Sequence, residues 1–108
     1  MTTGTCLLYM TAADAEEARR IGDALVAERL VACVNIIPGM TSIYRWEGEV
    51  RHETECVLIA KTRAELVERA TARVRALHSY DCPCVVALPV AGGNPEFLSW
   101  ILNETKES

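Results

Sequence analysis

The stretch from Ala32 to Thr62 constrains the chain most. It reads as two extended runs, 32–46 and 49–62, joined by Glu47-Gly48. Each run, of about 14 residues, spans roughly 45 Å at a strand rise of ~3.3 Å per residue. A compact domain of 108 residues has a radius of gyration near 13 Å, hence a diameter of about 34 Å. A hairpin of that length overhangs its own domain. The overhang carries Ile43, Tyr44, Trp46 and Val50 rather than a charged edge, and exposed apolar strands invite pairing with another chain. The expectation is quaternary: the hairpin completes a neighbouring subunit, with Tyr44, Trp46 and Trp100 as interface residues. Pro38-Gly39 inside the first run reads as a bend or bulge that would shorten the reach.

Around this hairpin the elements fall in a simple order. Residues 6–10 form a short apolar strand. Thr11-Ala-Ala-Asp14 fits a capping box and opens a helix with Ala18, Ile21, Leu25 and Arg29 along one face. After the hairpin, Thr62-Arg-Ala-Glu65 reads as a second capping box, followed by a helix with Val67, Ala70, Val74 and Leu77 as its stripe. Residues 84–90 form a last apolar strand, and 96–104 a short terminal helix. The order β-α-β-β-α-β predicts an α+β, ferredoxin-like antiparallel sheet with two helices on one face and an added C-terminal helix, in one domain spanning 1–108. Such a fold hosts many functions and selects none.

Charge and motifs narrow the function. The net charge is −4, and the basic residues form no stripe, which speaks against nucleic acid. No apolar run approaches the ~20 residues of a membrane span. Met1–Cys6 lacks a charged segment followed by an apolar one, so the expectation is a soluble, cytoplasmic protein without membrane association. Walker, GxGxxG, HExxH and GxSxG motifs are absent from the sequence, which points to a binding protein rather than an enzyme. The five cysteines, Cys6, Cys33, Cys56, Cys82 and Cys84, are an odd number with no secretory leader, and are expected as thiols.

The chemistry-bearing residues each have two readings. Cys82-Pro83-Cys84 is either a pair of packed thiols or a chelating pair. His78 either complements a helix C-terminus or ligates a metal. Cys33 and Met10 are either core filler or soft ligands. Brought together, they would make a site suited to Cu(I) or Zn(II). Lys61 either snorkels at the surface or receives an anion. Glu53 and Glu55 read as a solvated strand face.

Several blocks carry a resemblance. Leu25–Pro38, Ser42–Gly48 with its Ile43-Tyr44-Arg45-Trp46, Lys61-Thr62, His78-Ser-Tyr-Asp-Cys-Pro83 and Leu98–Ile101 resemble the CutA family of divalent-cation tolerance proteins, over nearly the whole chain. The resemblance implies a homotrimer with kinship to PII-type signalling proteins. It also implies copper or another divalent metal ion as ligand, and a role in cation tolerance. It maps proposed metal positions onto Cys33 and His78. The chain departs from the pattern where a strand-one cysteine of a bacterial relative falls at Met10. A glutamate in the family's HPYxxPE block falls at Cys84, that block's first proline at Ser79, and a second histidine at Leu77. These changes remove a hard oxygen ligand and supply sulfur, so the expected metal set is Met10, Cys33, His78 and Cys84, with a preference for soft ions, the alternative being that no metal binds. The alternative implied by the PII kinship is a small anion or metabolite in an intersubunit cleft, beside Lys61, Trp46 and Tyr80.

Overall fold

The computed structural model describes residues 3–105; Met1 and Thr2, part of the stretch read above for a leader, lie outside it. Strand β1 (Thr5–Ala12) leads into helix α1 (Ala15–Ala27), then strands β2 (Cys33–Trp46) and β3 (Glu49–Arg63). A 3-10 turn (Ala64–Leu66) precedes α2 (Val67–Leu77), and β4 (Val85–Pro89) and α3 (Pro95–Glu104) follow. The sheet is antiparallel with strand order β2-β3-β1-β4, the predicted ferredoxin-like arrangement.

The core follows from the strand period of two. Leu8, Met10 and Ala12 of β1 alternate with Leu7, Tyr9 and Thr11, and the first three face the helices together with Cys56, Leu58 and Ala60 of β3. Ala18, Ile21 and Leu25 of α1 and Ala70 and Val74 of α2 close over that face. Full burial of side chains such as Leu8, Ile21, Leu25 and Leu58 stabilises by about 1.5–3 kcal/mol each. The opposite face carries Leu7, Tyr9, Ile37, Ile59, Val86 and Leu88, of which Ile37, Val86 and Leu88 stay about half exposed.

The hairpin has the predicted reach. Pro38-Gly39 is a bulge: the register shifts between Ile37 and Met40 while both strands continue, and Gly39 takes φ +74°. Strand β1 stops pairing at Ala12 opposite Cys56, so residues 40–55 form a two-stranded ribbon beyond the sheet. The molecule measures 43 × 27 × 22 Å, and its long axis exceeds the roughly 34 Å of a compact domain of this size.

Both capping boxes differ from expectation. Thr11 and Ala12 remain in β1, paired with Val57 and Cys56, so the first box moves along the chain. Asp14 accepts from the Glu17 N–H at 2.9 Å, and Glu17 Oε1 accepts from the Ala13 N–H at 3.0 Å. The second box does not form. The Thr62 hydroxyl is fully buried and donates to the Leu30 carbonyl at 2.6 Å, tying β3 to the exit of α1. Arg29 likewise leaves the apolar face. It sits at φ 60° just past α1, where the Leu30 and Arg29 N–H groups return to the Leu25 and Val26 carbonyls, both at 3.0 Å. This is a Schellman ending with arginine in the place glycine usually takes. The Arg29 guanidinium then donates to the Asn103 and Glu104 carbonyls, and Arg63 to the Leu102 carbonyl and the Thr105 hydroxyl. Two arginines from elsewhere in the chain thus satisfy the free carbonyls that end α3.

Candidate ligand cleft

Where the ribbon leaves the sheet, it meets the segment that joins α2 to β4. Tyr44 and Trp46 of β2, Arg51, Glu53 and Glu55 of β3, and Tyr80 to Cys84 surround a cleft of about 400 Å³, with Thr11 at its floor. The antiparallel register explains the first wall. Tyr44 lies opposite Arg51 and Ser42 opposite Glu53, and period-two alternation puts Ser42, Tyr44 and Trp46 on the same face as Arg51, Glu53 and Glu55.

A buried anchor fixes the second wall. Glu17, 4% exposed, accepts from the Ser79 N–H at 2.7 Å through Oε2, while Oε1 holds Ala13. Arg20 stands 3.6 Å from the same carboxylate and the His78 ring 3.9 Å. Burial alone would raise the Glu17 pKa; hydrogen bonds from Ala13 and Ser79 outweigh it and hold the carboxyl below its ordinary range. His78 Nδ1 accepts from the Tyr80 N–H at 3.0 Å, so Nε2 carries the ring proton and donates to the Thr11 carbonyl at 2.8 Å. The Tyr80 ring lies tilted against His78, centroids 4.7 Å apart, and its hydroxyl donates to Glu55 Oε2 at 2.8 Å.

Glu55 is therefore not on a solvated strand face. It is 8% exposed, and its other oxygen accepts from the Ser42 hydroxyl at 2.5 Å. Glu53 accepts from the Tyr44 hydroxyl. The Tyr80 phenol is pushed well up by desolvation and then by the Glu55 hydrogen bond. Partial desolvation at the cleft wall, and then the Glu55 charge, raise the Cys84 thiol as well. The cleft carries three carboxylates, Glu53, Glu55 and Asp81, against the single Arg51, and Arg51 is shared with Glu47 and Glu49 at 3.9–4.0 Å. Its field favours cations.

The expected metal set does not assemble in one protomer. Met10 is 1% exposed in the core under the helices, whereas Cys33 lies on the opposite face of the sheet, level with Lys61 at the β2 edge. Cys84 precedes β4 at the other edge, roughly 19 Å from Cys33 by strand spacing and rise. Both ring nitrogens of His78 already have protein partners. Among the described residues, no group of three or more His, Cys, Asp or Glu side chains is placed to hold a metal ion. Cys82 and Cys84 are exposed free thiols at one end of the cleft. Of the expected cleft residues, Trp46 and Tyr80 come together. Lys61 does not: it donates to Asn35 on the open sheet face. Trp46 and Trp100 are 48% and 39% exposed, and Trp100 stacks on Phe97 along α3.

Comparison with known proteins settles the family. A profile described as CutA1 divalent ion tolerance protein matches residues 6–104. The chain belongs to the CutA1 divalent ion tolerance family. The CutA divalent-cation tolerance protein of Thermus thermophilus is 50% identical over 99 residues, covering 92% of this chain and 96% of that protein. The chloroplastic CutA 1 of Oryza sativa is 44% identical over 107 residues, covering 99% of this chain and 60% of that protein. The chain thus spans about three fifths of the plant relatives' length. Among solved CutA1 structures, that from Oryza sativa superposes with a TM-score of 0.94 at 44% identity, covering 99% of this chain and 98% of that one. That from Thermus thermophilus gives 0.93 at 48% identity, covering 94% and 99%. The CutA1 sheet, long ribbon and terminal helix are thus all present here.

Proposed function

We propose that this CutA1 chain is a cytoplasmic, non-enzymatic homotrimer that binds a soft cation, copper foremost, and thereby contributes to divalent-cation tolerance. The observation that carries the reading is the pair of exposed thiols, Cys82 and Cys84, at the end of an acidic cleft. Thiolates select soft ions, and the surrounding carboxylates concentrate cations before binding. The raised Cys84 pKa means that an incoming ion must displace a proton, so affinity rises with pH. Two donors leave the coordination shell incomplete, and side chains of a second copy would fill it. Cys33, remote from Cys84 within one chain, would take part only in that way.

The trimer is supported by the half-exposed apolar sheet face and by the uncovered ribbon with Ile43 at 65% exposure. Contiguous apolar surface on that scale marks association. Within one chain the anion-binding alternative is less favoured, because Lys61 lies outside the cleft and three carboxylates line it. The test is anaerobic Cu(I) titration of the chain and of Cys84→Ser, with sedimentation on the same samples. A species of three 11.9 kDa chains, with copper affinity at least about tenfold lower in the variant, is expected. Equal weak binding in both proteins removes Cys84 from the site, and a monomer at micromolar concentration removes the trimer.

A further inference from the structure

The thiol end of the cleft leaves its other end unexplained. Tyr44, Trp46 and Tyr80 line the cleft together with Glu53 and Glu55. The two carboxylates are tethered by hydroxyl donors. Both oxygens of Glu55 already accept hydroxyl protons, from Ser42 and Tyr80, and Glu53 accepts from Tyr44. These bonds fix the carboxylates in place and leave their charge uncancelled. That combination suits a cation needing negative potential and apolar contact without direct coordination. Aromatic faces supply the contact, because the ring quadrupole attracts a large, weakly hydrated cation. The cleft volume of about 400 Å³ falls in the lower part of the range for small-ligand pockets, roughly 300–1,000 Å³.

We propose that the ribbon end of the cleft is a binding site for a small alkylated ammonium ion, held against Trp46 between Tyr44 and Tyr80, with Glu53 and Glu55 as counter-charge. The site shares its cleft with Cys82 and Cys84 but uses neither thiol, so it does not require copper there. The Tyr–Glu hydrogen bonds set the spacing of its walls: each phenol is tied to a carboxylate on β3, so the rings are ordered before any ligand arrives and little freedom is lost on binding.

The test is titration calorimetry of the full chain with tetramethylammonium chloride, and with tert-butanol as a neutral body of similar size. Saturable binding of the ammonium is expected, with tert-butanol at least about tenfold weaker, because only the ion gains from the ring quadrupole and the carboxylates. Trp46→Leu should weaken ammonium binding about tenfold, and Cys84→Ser should leave it unchanged. Glu53→Gln, an exposed position, should weaken it about threefold and serves as the second variant if Trp46→Leu disturbs the ribbon. Equal binding of tert-butanol overturns the proposal, as do no saturable heat with the ammonium and full affinity in both variants. Loss of copper binding in Cys84→Ser with ammonium binding intact separates this site from the metal reading.

Discussion

Removing the Glu17 carboxylate should unfasten the cleft from the core. Its two oxygens accept the Ala13 and Ser79 N–H groups at 3.0 and 2.7 Å, and hydrogen bonds to a charged acceptor are worth about 1.5–3 kcal/mol each. Ser79 is itself exposed, so water recovers part of the second bond. Glu17→Ala should therefore cost about 2–3 kcal/mol in urea unfolding at pH 7. Glu17→Gln keeps the shape and one acceptor oxygen but turns an amino group towards an N–H, and should cost about 2 kcal/mol. The two states of the carboxyl add a pH signature. Its folded pKa lies below the ordinary value of 4.5, so its stabilisation is fully present above that value. It is lost as pH falls through the folded pKa, where the native state must take up the proton. Wild type should therefore lose stability from about pH 4.5 downward, and the loss should be shallower in Glu17→Gln. Unfolding should be followed at one fixed chain concentration, so that association enters all proteins equally. A cost below about 1 kcal/mol for Glu17→Ala, or an identical acid limb in Glu17→Gln, would refute the assignment of Glu17 as the anchor.

Two further outcomes bear on the rest of the structure. Met10→Leu conserves volume at a core position and should cost less than about 1.5 kcal/mol with copper stoichiometry unchanged in metal analysis; a lost equivalent would make Met10 a ligand. Arg63→Ala should uncap α3 and lower its stability by about 1 kcal/mol, read as faster hydrogen exchange at residues 98–104 before any other element.

What was legible in the chain follows from where its signals were local. The apolar runs Cys6–Met10 and Val57–Ala60, and the stripe of Ala18, Ile21 and Leu25, are local signals of burial, so the fold could be read from them. The hairpin's length was a matter of counting residues. The capping boxes misled because Thr11 and Thr62 have the right neighbours for a cap but are claimed by other elements: Thr11 by strand pairing with Val57, Thr62 by the Leu30 carbonyl. Sequence spacing cannot weigh such tertiary competitors. Glu17 left a trace, since it stands three residues after Asp14, as the reciprocal half of a capping box does. Its second bond, to Ser79, joins residues 62 apart and had no local sign. The metal set does not come together within one chain, for a geometric reason. Met10 and Cys33 sit on opposite faces of one sheet, and Cys33 and Cys84 at opposite edges, which becomes visible only once strand order is fixed.

The ribbon beyond Cys56 has a consequence for how the protein matures. A lone pair of strands is marginally stable in water, and β1 lends residues 40–55 no third strand. Their backbone bonds persist only while something else shields them. If sister copies provide that shelter, maturation ends in a bimolecular encounter: the globular half sets quickly on its own, and the protruding half firms up at a rate that slows on dilution.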